Sequence, residues 1–120
     1  MSINRKDLSL LYDIYISCVN VLDFIKGMKF YQFSEDRKTK SAVERELEII
    51  GQVAKLITTE TQDSLNNIPW SNIIGLRNIL AHDYGSVLVE KVWLISRTSV
   101  KELLKELRKI KDLKKYIKKV

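Results

Sequence analysis

The sequence predicts an all-α, up-and-down bundle of about four main helices, and three observations carry that prediction. Apolar residues recur at steps of three and four in four separate stretches, the spacing of one helical face. Four glycines and one proline in 120 residues leave few places for the chain to break. No stretch alternates apolar and polar residues as a half-buried strand would, and no internal repeat is visible.

Each element has its own signal. Leu8, Leu11, Tyr15, Cys18, Leu22 and Ile25 form the first stripe, and Gly27 stands where that helix should end. Lys29 to Ser34 reads as a loop, with Ser34 or Asp36 as the cap of the second helix. The second stripe is Val43, Leu47, Ile50, Ala54 and Ile57, widened by Ile49, Val53 and Leu56. So broad an apolar face predicts burial on two sides, against the bundle and against something else. Thr58 to Asn67 is polar and interrupts the pattern. Pro69 then suits the first turn of a third helix, capped by Asn67 and carrying Trp70, Ile73, Ile74, Arg77, Leu80 and Ala81. That helix should loosen near Gly85. Ser86 can cap a fourth, with Val89, Trp93, Ser96, Val100, Leu103, Leu107 and Ile110 on one stripe.

Residues 1–120 read as a single domain with a lysine-rich C-terminal end from about residue 108. No run approaches the roughly 20 apolar residues of a membrane span, and no secretory core follows the N-terminus, so a cytoplasmic protein is expected. Cys18 is the only cysteine and lies on an apolar stripe, which predicts a buried structural thiol. Tyr12, Tyr15, Phe24, Trp70 and Trp93 read as core residues. The net charge is +6 and unevenly placed. Residues 1–100 hold 12 Lys+Arg and 12 Asp+Glu, whereas residues 101–120 hold 9 against 3. Two readings of that basic end stay open, a solvated helical tail and a surface that attracts phosphate backbones without sequence preference.

The chemistry is concentrated in residues 77–84, Arg-Asn-Ile-Leu-Ala-His-Asp-Tyr, which include the only histidine. A permanent cation, a base that titrates near neutrality and a phenol make a set for gripping a phosphodiester and moving its protons. At about 100° per residue, Arg77 and His82 stand about 140° apart on a regular helix. Asn78 and His82 share a face, as do Arg77 and Tyr84. Arg77 and His82 can meet if the helix unwinds near His82, or if two chains pair about a two-fold axis. The second arrangement predicts a homodimer, with the broad face of helix two and the third helix contributing. Such a cleft suits RNA cleavage without a metal: His82 would activate the 2′-hydroxyl, Arg77 would stabilise charge on phosphorus, and Asn78 would orient the substrate or His82. A lone histidine and scattered carboxylates supply no metal-ligand set, and no phosphate-binding glycine loop or other cofactor signature is present. The structural alternative is that His82 partners the helix dipole, Arg77 clamps a carboxylate and Tyr84 caps.

These residues resemble a known family. Arg77, His82 and Tyr84 spell the Arg-x4-His-x-Tyr motif of HepT-like toxins, a branch of the HEPN ribonuclease superfamily. Leu47-Glu48-Ile49-Ile50-Gly51, Ile68-Pro69-Trp70, Ile73 to Tyr84 and Val92-Trp93 are similar to further family segments. The resemblance implies an all-helical homodimer with Arg77 and His82 in a cleft between protomers. It implies a metal-independent ribonuclease that is the toxin of a type VII-like toxin–antitoxin pair. The partner it implies is a minimal nucleotidyltransferase that neutralises the toxin by transferring AMP to Tyr84. Gln52 stands where the family often has a glutamate; if that residue orients the arginine, the hydrogen bond is kept and the charge lost. A non-catalytic dimeric module that partners a nucleotidyltransferase is the competing reading.

Overall fold

A computed structural model describes residues 2–120, and the chain is all-α there, with no strand among the described residues. The four expected helices are present. The first, α1 (Arg5–Phe24), is capped by Asn4, whose side chain accepts from the Asp7 amide at 2.8 Å. It ends in a turn through Gly27, whose φ of +77° is open to glycine at no steric cost. Next comes α2 (Phe30–Glu35), then α3 (Arg37–Leu56), capped by Asp36, which accepts from the Thr39 amide at 3.0 Å. α4 (Thr59–Ser64) precedes α5 (Trp70–Ile74) and α6 (Leu76–His82). α7 (Gly85–Leu94) runs through a π turn (Ile95–Ser99) into α8 (Val100–Leu107), and α9 (Lys111–Lys119) closes the chain.

The core lies where the stripes place it. Leu11, Cys18, Val43, Leu47, Ala54 and Leu107 have no exposed surface. α1 pairs along α3 and also carries α8 and α9, while α3 supports α5 and α6 on another side. Cys18 is buried, and burial pushes its thiol up to about 12. A thiol held that far from its ionised form is inert. The native protein should therefore resist a thiol-specific reagent at pH 8 and react within minutes once unfolded; labelling monitored by mass spectrometry checks this.

Several expectations are corrected. Residues 29–34 are not a loop: α2 forms because Phe33 is fully buried, its ring 5.1 Å from that of Trp93. Burying one Phe stabilises by about 2–3 kcal/mol, enough to hold a helix too short to persist alone. The polar stretch 58–67 contains α4. Thr58 caps it, and Trp70 Nε1 donates to the carbonyls of Gln62 and Leu65, both at 3.2 Å. Gln62 in turn donates to the last carbonyls of α3, those of Ala54 and Ile57. Asn67 is not the cap of the third helix, because Pro69 occupies that position. The third helix is divided at Gly75, which is still right-handed (φ −67°, ψ −12°) but ends one hydrogen-bonded run and begins another. Ser86 lies inside α7, and Tyr84 is the residue before it. Ser96 and Thr98 donate to the carbonyls four residues back, both at 2.7 Å, within the widened turn that interrupts the fourth helix. Phe24 is partly exposed rather than core.

Candidate functional site

The site is built on α6 and on the part of α3 beneath it. Gly51 makes their close approach possible. A Cβ added there would lie 3.1 Å from the Ile73 carbonyl oxygen and 3.2 Å from Arg77 Cγ. The arginine stem is therefore laid across the bare backbone of α3, and its guanidinium projects beyond. Arg77 and Asn78 line an open depression of about 670 Å³ with Glu48 and Lys55 of α3 and Ser71 of α5. Glu48 is already engaged by Arg45 at 2.6 Å.

His82 is the last residue of α6 and is exposed, outside the lining of that depression. The helix is intact up to it, since the Asp83 amide donates to the Ile79 carbonyl at 2.9 Å. Unwinding before His82, one of the two expected routes to convergence, is thus absent. Arg77 and Asn78 come together within one chain; Arg77 and His82 do not. Tyr84 follows in extended backbone (φ −153°) and is 84% exposed. Two features fix this short link. Asp83 accepts from Lys91 Nζ at 2.7 Å, and Gly85 adopts φ +64°, which a residue with a Cβ reaches only with strain. Neither Arg77 nor His82 takes part in an ion pair among the described residues, so the clamp reading of Arg77 is not met. No group of three His, Cys, Asp or Glu residues gathers as a metal-ligand set among the described residues.

The site reading from sequence located Arg77, Asn78, His82 and Tyr84 but missed the α3 wall. Glu48, Gly51 and Lys55 are spaced three and four apart, so they share one face, and that spacing was visible. Gln52, one position on from Gly51, is exposed and does not line the depression. Apolar surface also remains uncovered, with Leu56, Val87 and Leu94 each more than half exposed at 59%, 52% and 62%.

Gly51→Ala sets two effects against each other. Alanine gains about 1 kcal/mol of helix propensity, while overpacking a tight contact costs about 1–3 kcal/mol. The nearest atom is a backbone carbonyl oxygen that cannot rotate away, so overpacking wins. The expected result is a lower melting temperature and a larger loss at the Arg77 site than the stability change explains, read from thermal melts beside activity.

An all-α bundle with an arginine, an asparagine and a histidine along one helix and an exposed tyrosine beyond it fits the HEPN-type fold that the motif's resemblance implies. The ribonuclease HepT-like family matches residues 14–110, and the chain belongs to that family. A Methanocaldococcus jannaschii protein provisionally named an RNase is 35% identical over 96 residues, covering 80% of this chain and 88% of the relative. A second from the same organism, similarly named, is 34% identical over 111 residues, 91% of this chain and 92% of the relative. A Thermococcus cleftensis protein provisionally named ribonuclease HepT is 31% identical over 101 residues, 84% of this chain and 92% of the relative. No solved structure matches at a significant level. No helix among the described residues is long and apolar enough to cross a membrane.

Proposed function

We propose that the chain is a metal-independent endoribonuclease acting as a homodimer. In this reading it is the toxin of a type VII-like toxin–antitoxin pair, silenced when a nucleotidyltransferase antitoxin transfers AMP to Tyr84. The observation that carries the proposal is the placement of Arg77 and Asn78 in one open depression while His82 and Tyr84 stand exposed at the end of the same helix. The polar groups of Arg77, Asn78, His82 and Tyr84 make no side-chain hydrogen bond or ion pair among the described residues. They are available to a ligand.

The two-fold pairing brings His82 of one chain toward Arg77 of the other. His82 takes the proton from a ribose 2′-hydroxyl, and the 2′-oxygen attacks the adjacent phosphorus. Arg77 meets the charge that grows on the phosphoryl oxygens, where its planar fork can bond two of them. The bond from phosphorus to the 5′-oxygen breaks, the departing oxygen takes a proton from water, and a 2′,3′-cyclic phosphate remains. Asn78 orients the substrate or the imidazole. The exposed apolar side chains of Leu56, Val87 and Leu94 support a partner copy that covers them. Tyr84 is open enough to enter another enzyme's site, and an adenylyl group there would set its phosphate against the Arg77 cation.

The test is incubation of the purified protein with total RNA in EDTA. Cleavage leaving 2′,3′-cyclic ends, and none on fully 2′-O-methylated RNA, supports the reading. Cleavage of 2′-O-methylated RNA overturns the mechanism. No cleavage by protein whose Tyr84 is unmodified by mass spectrometry favours the non-catalytic module that partners a nucleotidyltransferase.

A further inference from the structure

The lysine-rich end is a docked helix. α9 lies against α1, with Leu113 fully buried and the Tyr116 ring 5.6 Å from that of Tyr12. Its first turn is pinned as well, because Asp112 Oδ2 accepts from the Ile3 amide at 3.0 Å. These ties fix the rotation of the helix about its axis. Lys111, Lys114, Lys115, Lys118 and Lys119 are all exposed as a result. At about 100° per residue they fall within an arc of about 140°, and Lys114 and Lys118 stand about 6 Å apart along the axis. No acidic residue of α9 shares that arc; Asp112, the only one, is turned to Ile3. The exposed Lys105 and Arg108 lead into the stripe from α8.

We propose that this face of α9 is a docking rail for the phosphodiester backbone of RNA, engaging the substrate away from the linkage that is cut. The inference rests on the ribonuclease reading for its choice of polyanion. α9 falls outside residues 14–110, the stretch matched by the family. It packs on α1, whereas Arg77 sits on a helix supported by α3, so the rail and the arginine belong to different parts of the bundle. The chemistry favours a flexible polyanion. Lysines are compact point charges that attract phosphate without reading bases. A membrane-surface helix would turn apolar residues outward, and here Leu113 and Ile117 face the protein instead.

The test compares the full-length protein with its Lys114→Ala/Lys115→Ala/Lys118→Ala variant, whose exposed substitutions favour helix and leave Leu113 and Tyr116 in place. Binding is measured across a salt series to fully 2′-O-methylated oligouridine of about 20 nucleotides, a probe read whether or not the protein cleaves RNA. Each lost lysine–phosphate contact should lower the slope of log affinity against log salt by about 0.7, so about 2 for three, with binding weakened about tenfold at low salt. For cleavage, KM for a long RNA should rise while kcat on a dinucleotide stays unchanged. An unchanged salt slope overturns the rail even if the wild type cleaves RNA. A wild type that never cleaves, yet loses binding on substitution, keeps the rail and sinks the ribonuclease reading. Loss of binding to polyglutamate with RNA binding intact overturns the proposal in favour of an acidic protein partner.

Discussion

Arg77→Ala and His82→Ala should each abolish most RNA cleavage, and mixing the two inactive proteins should restore about a quarter of wild-type activity. Loss of a positioned base costs about 10²–10⁴-fold, and loss of a fixed donor to the transition state costs about 10²–10³-fold. Both residues are exposed, so neither change should move stability by more than about 0.5 kcal/mol, and the melts should overlay. The mixing result follows from the geometry of α6. Its backbone is helical through His82, which keeps Arg77 and His82 on different sides of one chain. In the proposed dimer a productive pair therefore takes Arg77 from one protomer and His82 from the other. After subunit exchange half the dimers are mixed, and each mixed dimer keeps one complete site and one empty of both groups. If the two residues instead served one site within a chain, every mixed dimer would be dead and mixing would restore nothing. Arg77→Lys sharpens the point. It keeps the stem over Gly51 and the charge, so any loss beyond tenfold measures the planar fork itself.

The long helices were legible because their signal is local and repeated. Five residues at helical spacing, Val43 to Ile57, are all buried in α3 and its C-cap, and the Asp36 cap could be read from its position before them. The short elements were not legible, because what stabilises them lies far along the chain. Phe33 of α2 is held beneath Trp93, and the last carbonyls of α4 are satisfied by Trp70. The π turn depends on Ser96 and Thr98 folding back on their own helix, a choice that the stripe spacing does not reveal. At the site, the polar residues of α6 stood out by type and by the resemblance of their motif. Gly51 stood within a resembling segment, but its role did not show, since that role is the absence of a side chain under Arg77 and belongs to a contact between helices. Which way the charges of the lysine-rich end face was not legible either, because it is set by the docking of Leu113 and Tyr116 on α1.

Asp7→Ala should be the most destabilising single change outside the apolar core, by about 3 kcal/mol. Asp7 has no exposed surface, yet no cation pairs with it among the described residues. Its Oδ2 accepts from Thr58 Oγ1 and Thr61 Oγ1, both at 2.6 Å, and from Asn4 Nδ2 at 3.0 Å. One carboxylate thus joins the start of α1 to the junction of α3 and α4. Truncation leaves the buried Thr61 hydroxyl, and the Thr58 and Asn4 donors at its rim, without their shared acceptor, whereas Asp7→Asn keeps one acceptor and should cost less. For a domain of this size the alanine variant should melt about 10 °C lower. The pH dependence has a definite sign. Burial alone would raise the Asp7 carboxyl, but hydrogen bonds from Thr58, Thr61 and Asn4 outweigh it and hold the group below its ordinary value. A carboxyl lowered by folding contributes stability that is complete above the unfolded value near 3.9 and is lost as pH falls through the folded value. Wild type and Asp7→Asn should therefore differ by a constant amount from pH 5 to pH 7 and converge below about pH 4. Denaturant melts across that range decide it. A gap that stays constant to pH 2 would show that the hydrogen bonds do not depend on the charge, and that Asp7 stabilises the junction by shape alone.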